Sequence, residues 1–359
     1  MSKNRSNMKT MRFILVFNIF VAVFCSCSTD VDLYAEYKDV PVIYCMLNPR
    51  ADTNYLKITR AFCGTNEDPI NANEVALIYD SSNYPCKLDA RIIELESRNN
   101  GSYEPTGREI VLDTMTLHNK QEGTFYSPDQ LVYYTTEPFN AGAEGTHYKY
   151  RLMVIKPDGD TLTALTGLVG NEEFEIITNG FSFEEQETNA MNRIMFRADG
   201  VASLYEVSLQ FNYCEQLTGQ QMKYKNVNRT FGVRTIEEFQ KVEGSENAYF
   251  LGFSANWLFN ALANAIGSDT VVNANHPNVV RYFDNLVVSI DAAGEDLYYY
   301  YLVSQANQSN MTGYISLYSN ITGGQGLFSS RTQIKKNCRL SSRTLRSLYG
   351  KSSWGFVEQ

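Results

Sequence analysis

Val40-Pro41-Val42-Ile43-Tyr44-Cys45-Met46-Leu47 is an apolar run stopped by Asn48-Pro49. After the polar turn Arg50-Ala51-Asp52-Thr53, Tyr55, Lys57 and Thr59 alternate with Leu56, Ile58 and Arg60. Period-two alternation marks a half-buried strand, so the two segments read as a β-hairpin. The same reading extends along the chain, with strands expected near residues 86–95, 109–117 and 130–136. His147-Tyr148-Lys149-Tyr150-Arg151-Leu152-Met153-Val154-Ile155 then meets the turn Pro157-Asp158-Gly159, and Thr161-Leu162-Thr163-Ala164-Leu165 returns from it. Tyr150-x-Leu152-x-Val154 looks like the late strand of an immunoglobulin-type or fibronectin-type fold. Residues 40–169 are therefore expected to form an N-terminal immunoglobulin/fibronectin-like β-sandwich.

From about Gly170 the pattern changes. Strands are expected at 174–178, 193–197, 205–214 and 286–290, with helix signals between them. Thr235-Ile236-Glu237-Glu238 has the form of a capping box, with Gly244 as the stop. Ser254-Ala255-Asn256 leads into Trp257-Leu258-Phe259, with Ala261, Leu262, Ala265 and Ile266 at helical spacing and Gly267 closing the run. Glu295-Asp296 opens the run Leu297-Tyr298-Tyr299-Tyr300-Tyr301-Leu302-Val303. Acids at that position suit a helix N-terminus, which favours a helix over a strand. Such a helix would place Leu297, Tyr300, Tyr301 and Ser304 on one face. The fold class is thus mainly β: a sandwich followed by a mixed β-sheet domain with a few helices over 170–330.

Composition agrees with this class and narrows the function. The chain has 359 residues, 43% hydrophobic and 20% charged, with 24 Tyr and 20 Phe. A chain of this length and composition can bury more than one core. A net charge of −9 argues against nucleic acid as a partner, since that affinity comes from neutralising phosphates with Lys and Arg. Three histidines (His118, His147, His276) leave little room for a histidine-rich metal site.

The N-terminus carries an address. Lys3, Arg5, Lys9 and Arg12 precede an apolar run from Phe13 to Phe24. Twelve helical residues rise about 18 Å, short of the roughly 30 Å hydrocarbon core. Residues 1–26 therefore read as a signal peptide and not as a membrane span. The run ends in Phe24-Cys25-Ser26-Cys27. A small residue before a Cys at that point resembles the bacterial lipobox, which makes Cys27 the expected lipidation site and lipid the anchor. The plainer alternative is a cleaved signal peptide with a chance Cys. Residues 27–39 form an acidic tether with Asp30, Asp32 and Glu36. Acids behind a lipidated Cys also resemble the export signal that sends Bacteroidetes lipoproteins to the outer face of the outer membrane.

Five further cysteines, Cys45, Cys63, Cys86, Cys214 and Cys338, form no C-x-x-C pair and no disulfide framework. Cys45 and Cys63 could meet across neighbouring strands; buried free thiols are the alternative.

Two segments carry a wider resemblance. One is Tyr44-Cys45-Met46-Leu47-Asn48-Pro49 with Tyr55-Leu56-Lys57-Ile58-Thr59-Arg60-Ala61-Phe62. The other is Tyr318-Ser319-Asn320-Ile321-Thr322-Gly323-Gly324-Gln325-Gly326-Leu327-Phe328. Together, over roughly residues 36–331, they resemble an uncharacterised family of Bacteroidetes outer-membrane lipoproteins, domain of unknown function 4249 or a close relative. The resemblance implies an envelope location and this architecture, but no chemistry. Many envelope lipoproteins of that phylum work beside TonB-dependent receptors, which makes such a receptor a candidate partner.

Catalytic chemistry is not legible. Gly323-Gly324-Gln325-Gly326 lacks the Lys-Ser/Thr of a phosphate loop and reads as a tight turn before a last strand. No G-x-S-x-G, H-E-x-x-H or calcium-loop pattern occurs, and no catalytic, cofactor or metal residue is assigned. Glu184-Glu185 and Glu237-Glu238 are the acid pairs that a glycan hydrolase would draw on, although neighbouring acids usually form a solvated face. Asp113-Thr114-Met115, Asp160-Thr161-Leu162 and Asp269-Thr270-Val271 match the short pattern for bacterial O-glycans, marking Thr114, Thr161 and Thr270. In residues 331–359, Arg331, Lys335, Lys336, Arg339, Arg343, Arg346 and Lys351 oppose only Glu358. That segment reads as a basic C-terminal tail, solvated, or docked on anionic lipopolysaccharide or on the acidic body of the protein. The expected function is a non-enzymatic outer-membrane lipoprotein, on either the periplasmic or the outer face, that binds a ligand or partner; the alternative is a glycan-active or glycan-binding protein.

Overall fold

The computed structural model describes residues 39–61, 77–78, 82–98, 101–123, 126–142, 147–186, 189–217, 219–267, 279–309 and 317–358. The signal segment, Cys27, the tether up to Lys38, Cys63 and Thr270 lie outside the described residues.

The fold is mainly β. The expected hairpin is present as β1 (Pro41–Leu47) and β2 (Asn54–Arg60), paired antiparallel with Ile43 opposite Ile58. Its turn is held by Asn48 and Asn54: the Asn48 N–H donates to Asn54 Oδ1 (2.7 Å) and Asn54 Nδ2 to the Asn48 carbonyl (3.1 Å). β3 (Asp89–Ser97) and β4 (Tyr103–Val111) follow, then β5 (Asp113–Leu117) and β6 (Gln130–Thr135). β7 (Tyr148–Ile155) and β8 (Thr161–Gly167) complete the first half. The second half adds β9 (Glu175–Ile176), β10 (Gly180–Phe181), β11 (Met191–Arg197) and the long pair β12 (Leu204–Leu217) and β13 (Lys223–Arg234). After them come β14 (Gln240–Lys241), β15 (Ala248–Ser254) and helix α1 (Trp257–Gly267). The chain ends with β16 (Val279–Ala293), α2 (Glu295–Ser309), β17 (Gln325–Leu340) and α3 (Ser342–Tyr349).

One large sheet forms a backplane in the order β13-β12-β16-β17-β1-β2-β6-β5, with β10 also on β17. Two four-stranded sheets, β4-β3-β7-β8 and β14-β15-β11-β9, complete the set. Each packs over a core shared with one part of the backplane. The first core joins Ile43, Leu47, Leu56 and Ile58 to Ile92, Tyr150, Leu152 and Val154. The second joins Val207, Leu209, Phe211, Val288 and Ile290 to Ile194, Phe196, Phe253 and residues of α1. Tyr150, Leu152 and Val154 all point inward, and the Tyr150 hydroxyl donates to buried Glu94 (2.8 Å) while accepting the Asn140 N–H (2.8 Å).

β17 serves both cores. Phe328 enters the first, whereas Ile334, Cys338 and Leu340 enter the second. Its first half pairs in parallel with β1 (Val42 opposite Gln325) and its second half antiparallel with β16 (Ile334 opposite Ile290). This corrects the reading of 331–359 as a tail: residues 331–340 are half of a central strand. Arg331, Gln333, Lys335, Asn337 and Arg339 are its solvent-side residues, alternating with Thr332, Ile334 and Cys338 within. α3 then packs back, burying Leu348, with Arg343 paired to Glu184 (3.5 Å) and Lys351 to Glu185.

The Gly-rich segment is the turn that starts β17. Gly326 has φ +117°, and a Cβ there would collide with the Ile43 carbonyl oxygen. Only glycine lets β17 approach β1 this closely. Asn320 clamps the same point, accepting the Phe328 N–H (2.9 Å) and donating to its carbonyl (2.7 Å). The helix expected at Thr235 is a single 3₁₀ turn, Ile236–Glu238, although its capping box forms. It stops because Phe239 is drawn into the second core and Gln240–Lys241 pairs with β15.

Candidate functional site

α2 lies across the outer face of the backplane, held by hydrogen bonds at its first turn. The Leu297 N–H donates to Ser329 Oγ (3.2 Å), which satisfies one of the free donors of a helix N-terminus. The Tyr318 hydroxyl donates to Asp296 (2.9 Å). Burial raises the Asp296 carboxyl above its ordinary range, and hydrogen bonds from Tyr318, Thr166 and Asn320 partly offset that. Under the helix, Leu327 and Ser329 are buried on the outer side while Phe328 and Ser330 are buried on the inner side. That double cover explains the continuous burial at the start of β17, before alternation resumes at Arg331.

The helix exposes aromatic surface. Tyr44 of β1 is 46% exposed, Tyr299 42% and Leu302 43%. The phenol of Tyr44 is pushed up by partial burial and by the nearby Tyr300, so β1 and α2 contribute to one patch. Tyr299 stacks at a tilt on Tyr298 (5.6 Å between ring centres) and on Tyr318 (5.8 Å).

Between α2 and the sheet runs a groove of about 300 Å³. Leu297, Tyr300, Tyr301 and Ser304 line one side, the four residues expected to share a helix face. The floor comes from four strands: Leu204 and Glu206 of β12, Val233 of β13, Asp291 and Ala293 of β16, and Arg331 of β17. Arg331 donates to Asp291 Oδ1 from Nη2 (2.6 Å) and Nε (3.2 Å), and Gln333 donates to Oδ2 (2.7 Å). Glu206 stands directly opposite Asp291 in the β12–β16 register. A second depression of about 310 Å³, lined by Met46, Asn48 and Gln333, adjoins through the shared Asp291 and Arg331.

The remaining sequence-stated candidates scatter. Glu184 and Glu185 pair with Arg343 and Lys351, and Glu238 accepts the Thr235 N–H (2.8 Å). Thr114 is half-buried on β5 and Thr161 is exposed at the start of β8. Cys45, Cys214 and Cys338 are buried free thiols and Cys86 is an exposed one. Burial pushes the Cys45 thiol up to about 12. Among the described residues no group of three or more His, Cys, Asp or Glu is placed to hold a metal, and no helix is long and apolar enough to cross a membrane. The groove's floor was missed in the sequence. Its one local signal is an isolated acid, Asp291, in the apolar stretch 286–293.

Comparison with known protein families finds no matching family model, and a search of curated proteins finds no match.

Proposed function

We propose that this protein is a non-catalytic lipoprotein of the bacterial cell envelope, acylated at Cys27 and held in the outer membrane. There it binds a ligand or partner as an accessory beside a TonB-dependent receptor. The tyrosine-bearing outer face carries the binding reading: Tyr44, Tyr299, Tyr300 and Leu302 are solvent-facing on β1 and α2, and Tyr300 also lines the groove. Aromatic anchors in such settings supply most of the energy of an interface. The N-terminal address and the family resemblance support the location. Photo-crosslinking from position 299 in the native membrane, followed by recovery from solubilised outer membranes, tests the binding role. A receptor should be captured, and a Cys27→Ala variant should lose acyl labelling and leave the membrane fraction. Retained labelling in that variant, or capture of no partner, would count against the proposal.

One observation favours a second reading, a glycan-active hydrolase. Glu206 and Asp291 are directly opposed on neighbouring strands in one groove, which sets their β-carbons about 5 Å apart. Retaining glycosidases hold their two carboxyl groups at about 5–5.5 Å. Against it, both oxygens of Asp291 are engaged by Arg331 and Gln333. Glycan turnover abolished by Glu206→Gln would establish the hydrolase in place of the binding protein.

A further inference from the structure

We propose that the groove beneath α2 is a site for an organic cation, a primary ammonium or guanidinium group on a slender apolar stem. The inference rests on the binding reading above and names the ligand chemistry of the same face. Charge bookkeeping within the groove carries it. The Arg331 guanidinium is matched by Asp291, whose oxygens are both occupied. Glu206, half-buried beside them, takes no hydrogen bond or ion pair among the described residues. One negative charge is therefore left unbalanced in a recess whose other walls are mainly apolar and aromatic, Leu204, Val233, Ala293, Leu297, Tyr300 and Tyr301, with Ser304 at the helix side.

Each feature selects against other ligands. An anion would meet Glu206 and would find Arg331 already engaged. A neutral sugar presents hydroxyl groups around its whole ring, most of which walls of Leu, Val, Ala and aromatic carbon with a single Ser304 would leave unpaired. A cation on an apolar stem satisfies both halves of the site: its charge meets Glu206, aromatic faces attract it further, and its stem lies on the apolar wall. The volume of about 300 Å³ sits at the lower end of small-molecule sites, which span about 300–1,000 Å³. It therefore suits one such group and not a polymer. The acidic balance of the chain, −9 overall, draws cations towards it.

The test is calorimetric titration of the full-length chain in detergent with n-pentylammonium, agmatine and N-acetyl-arginine amide, against n-pentanol and methyl glucoside as neutral probes. The cations should bind saturably and more weakly as salt rises. Glu206→Gln should lower their affinity at least about tenfold and Tyr301→Leu about threefold, with circular dichroism unchanged in both. Binding of agmatine points to a free amine as the natural ligand. Binding confined to N-acetyl-arginine amide points to a side chain presented by a protein. Equal affinity for n-pentanol, tighter binding of methyl glucoside, or full affinity in a folded Glu206→Gln variant would overturn the inference. Partner capture from position 299 that persists in Glu206→Gln would leave the binding role standing while removing the cation from it.

Discussion

Arg281 grips Glu215 through two nitrogens, Nη2 at 2.7 Å and Nε at 2.9 Å, with both side chains almost wholly buried. Its third nitrogen, Nη1, donates to the Trp354 carbonyl (2.7 Å), so one guanidinium ties β12, β16 and the chain's end together. Breaking a fully isolated buried pair from one side costs about 3–5 kcal/mol; here Lys225 (2.9 Å) stays on Glu215, which places the loss at the lower end, about 3 kcal/mol. Arg281→Met should lower stability by that amount in urea unfolding and open the segment after Gly350 to protease. Arg281→Met with Glu215→Leu should recover part of the loss. Burial would raise the Glu215 carboxyl, but Lys225 and Arg281 bring it below its ordinary value. A lowered carboxyl pKa gives stability that is full above the unfolded value of about 4.3 and is lost as pH falls through the folded one. Glu215→Gln should flatten that acid limb.

Gly326→Ala should destabilise more than any other substitution in the Gly-rich turn. Its added Cβ strikes backbone, the Ile43 carbonyl, which cannot swing aside, and its φ is +117°. A loss above about 2 kcal/mol is expected. Gly323→Ala is crowded only by a flexible side chain, Leu162 at 3.1 Å, with the Thr161 carbonyl at an ordinary 3.5 Å, and should lose about 1 kcal/mol for its φ of +84°. Equal effects in thermal unfolding would contradict this account.

Tyr150→Phe removes a hydroxyl that both donates to buried Glu94 and accepts the Asn140 N–H. Two groups lose a partner and the ring packing against Phe139 is retained. The expected cost is about 1–3 kcal/mol, read as a shift of the urea midpoint with an unchanged slope.

Lys57 should titrate near 8. Burial, and then the charge of Lys120, lower it to about 8 from 10.5. The folded pKa is depressed, so the cost of holding the cation is fully present below about 8 and is relieved as pH rises towards 10.5. Reductive ¹³C-methylation followed by a carbon-detected titration reads this directly. Lys120→Gln should move the Lys57 midpoint upward; an unmoved midpoint would remove Lys120 as a cause.

Local patterns were legible where neighbours in sequence decide the structure. The β1–β2 hairpin follows from period-two alternation stopped at Asn48-Pro49, and α2 from acids leading a Tyr run whose groove-side residues fall at helical spacing. Distant partners defeated the reading elsewhere. The capping box at Thr235 forms, but the pull of Phe239 into a core built from β11 and β12 ends the helix after one turn. Residues 331–340 alternate as a strand should, yet their charges dominate when counted without knowing that β16 and β10 flank them. The groove assembles residues 204–206, 291–293 and 331, and strand pairings set by tertiary packing leave little trace in any local window.

The placement of β17 between β1 and β16 also sets the order in which this molecule can mature. A ribosome or a translocation pore delivers the chain from its N-terminus, so the flank of β1 remains an open sheet edge until the last strand emerges. Open edges recruit other chains, and long-range parallel pairing is slow to form. Neither half can therefore finish before the other, and a chain halted before Gln325 should expose both unfinished edges to a holding chaperone. Hydrogen exchange on stalled chains would reveal this as protection of the alternate amides in residues 42–47 that face β17, and not of those facing β2, appearing only once residues 325–330 have cleared the pore.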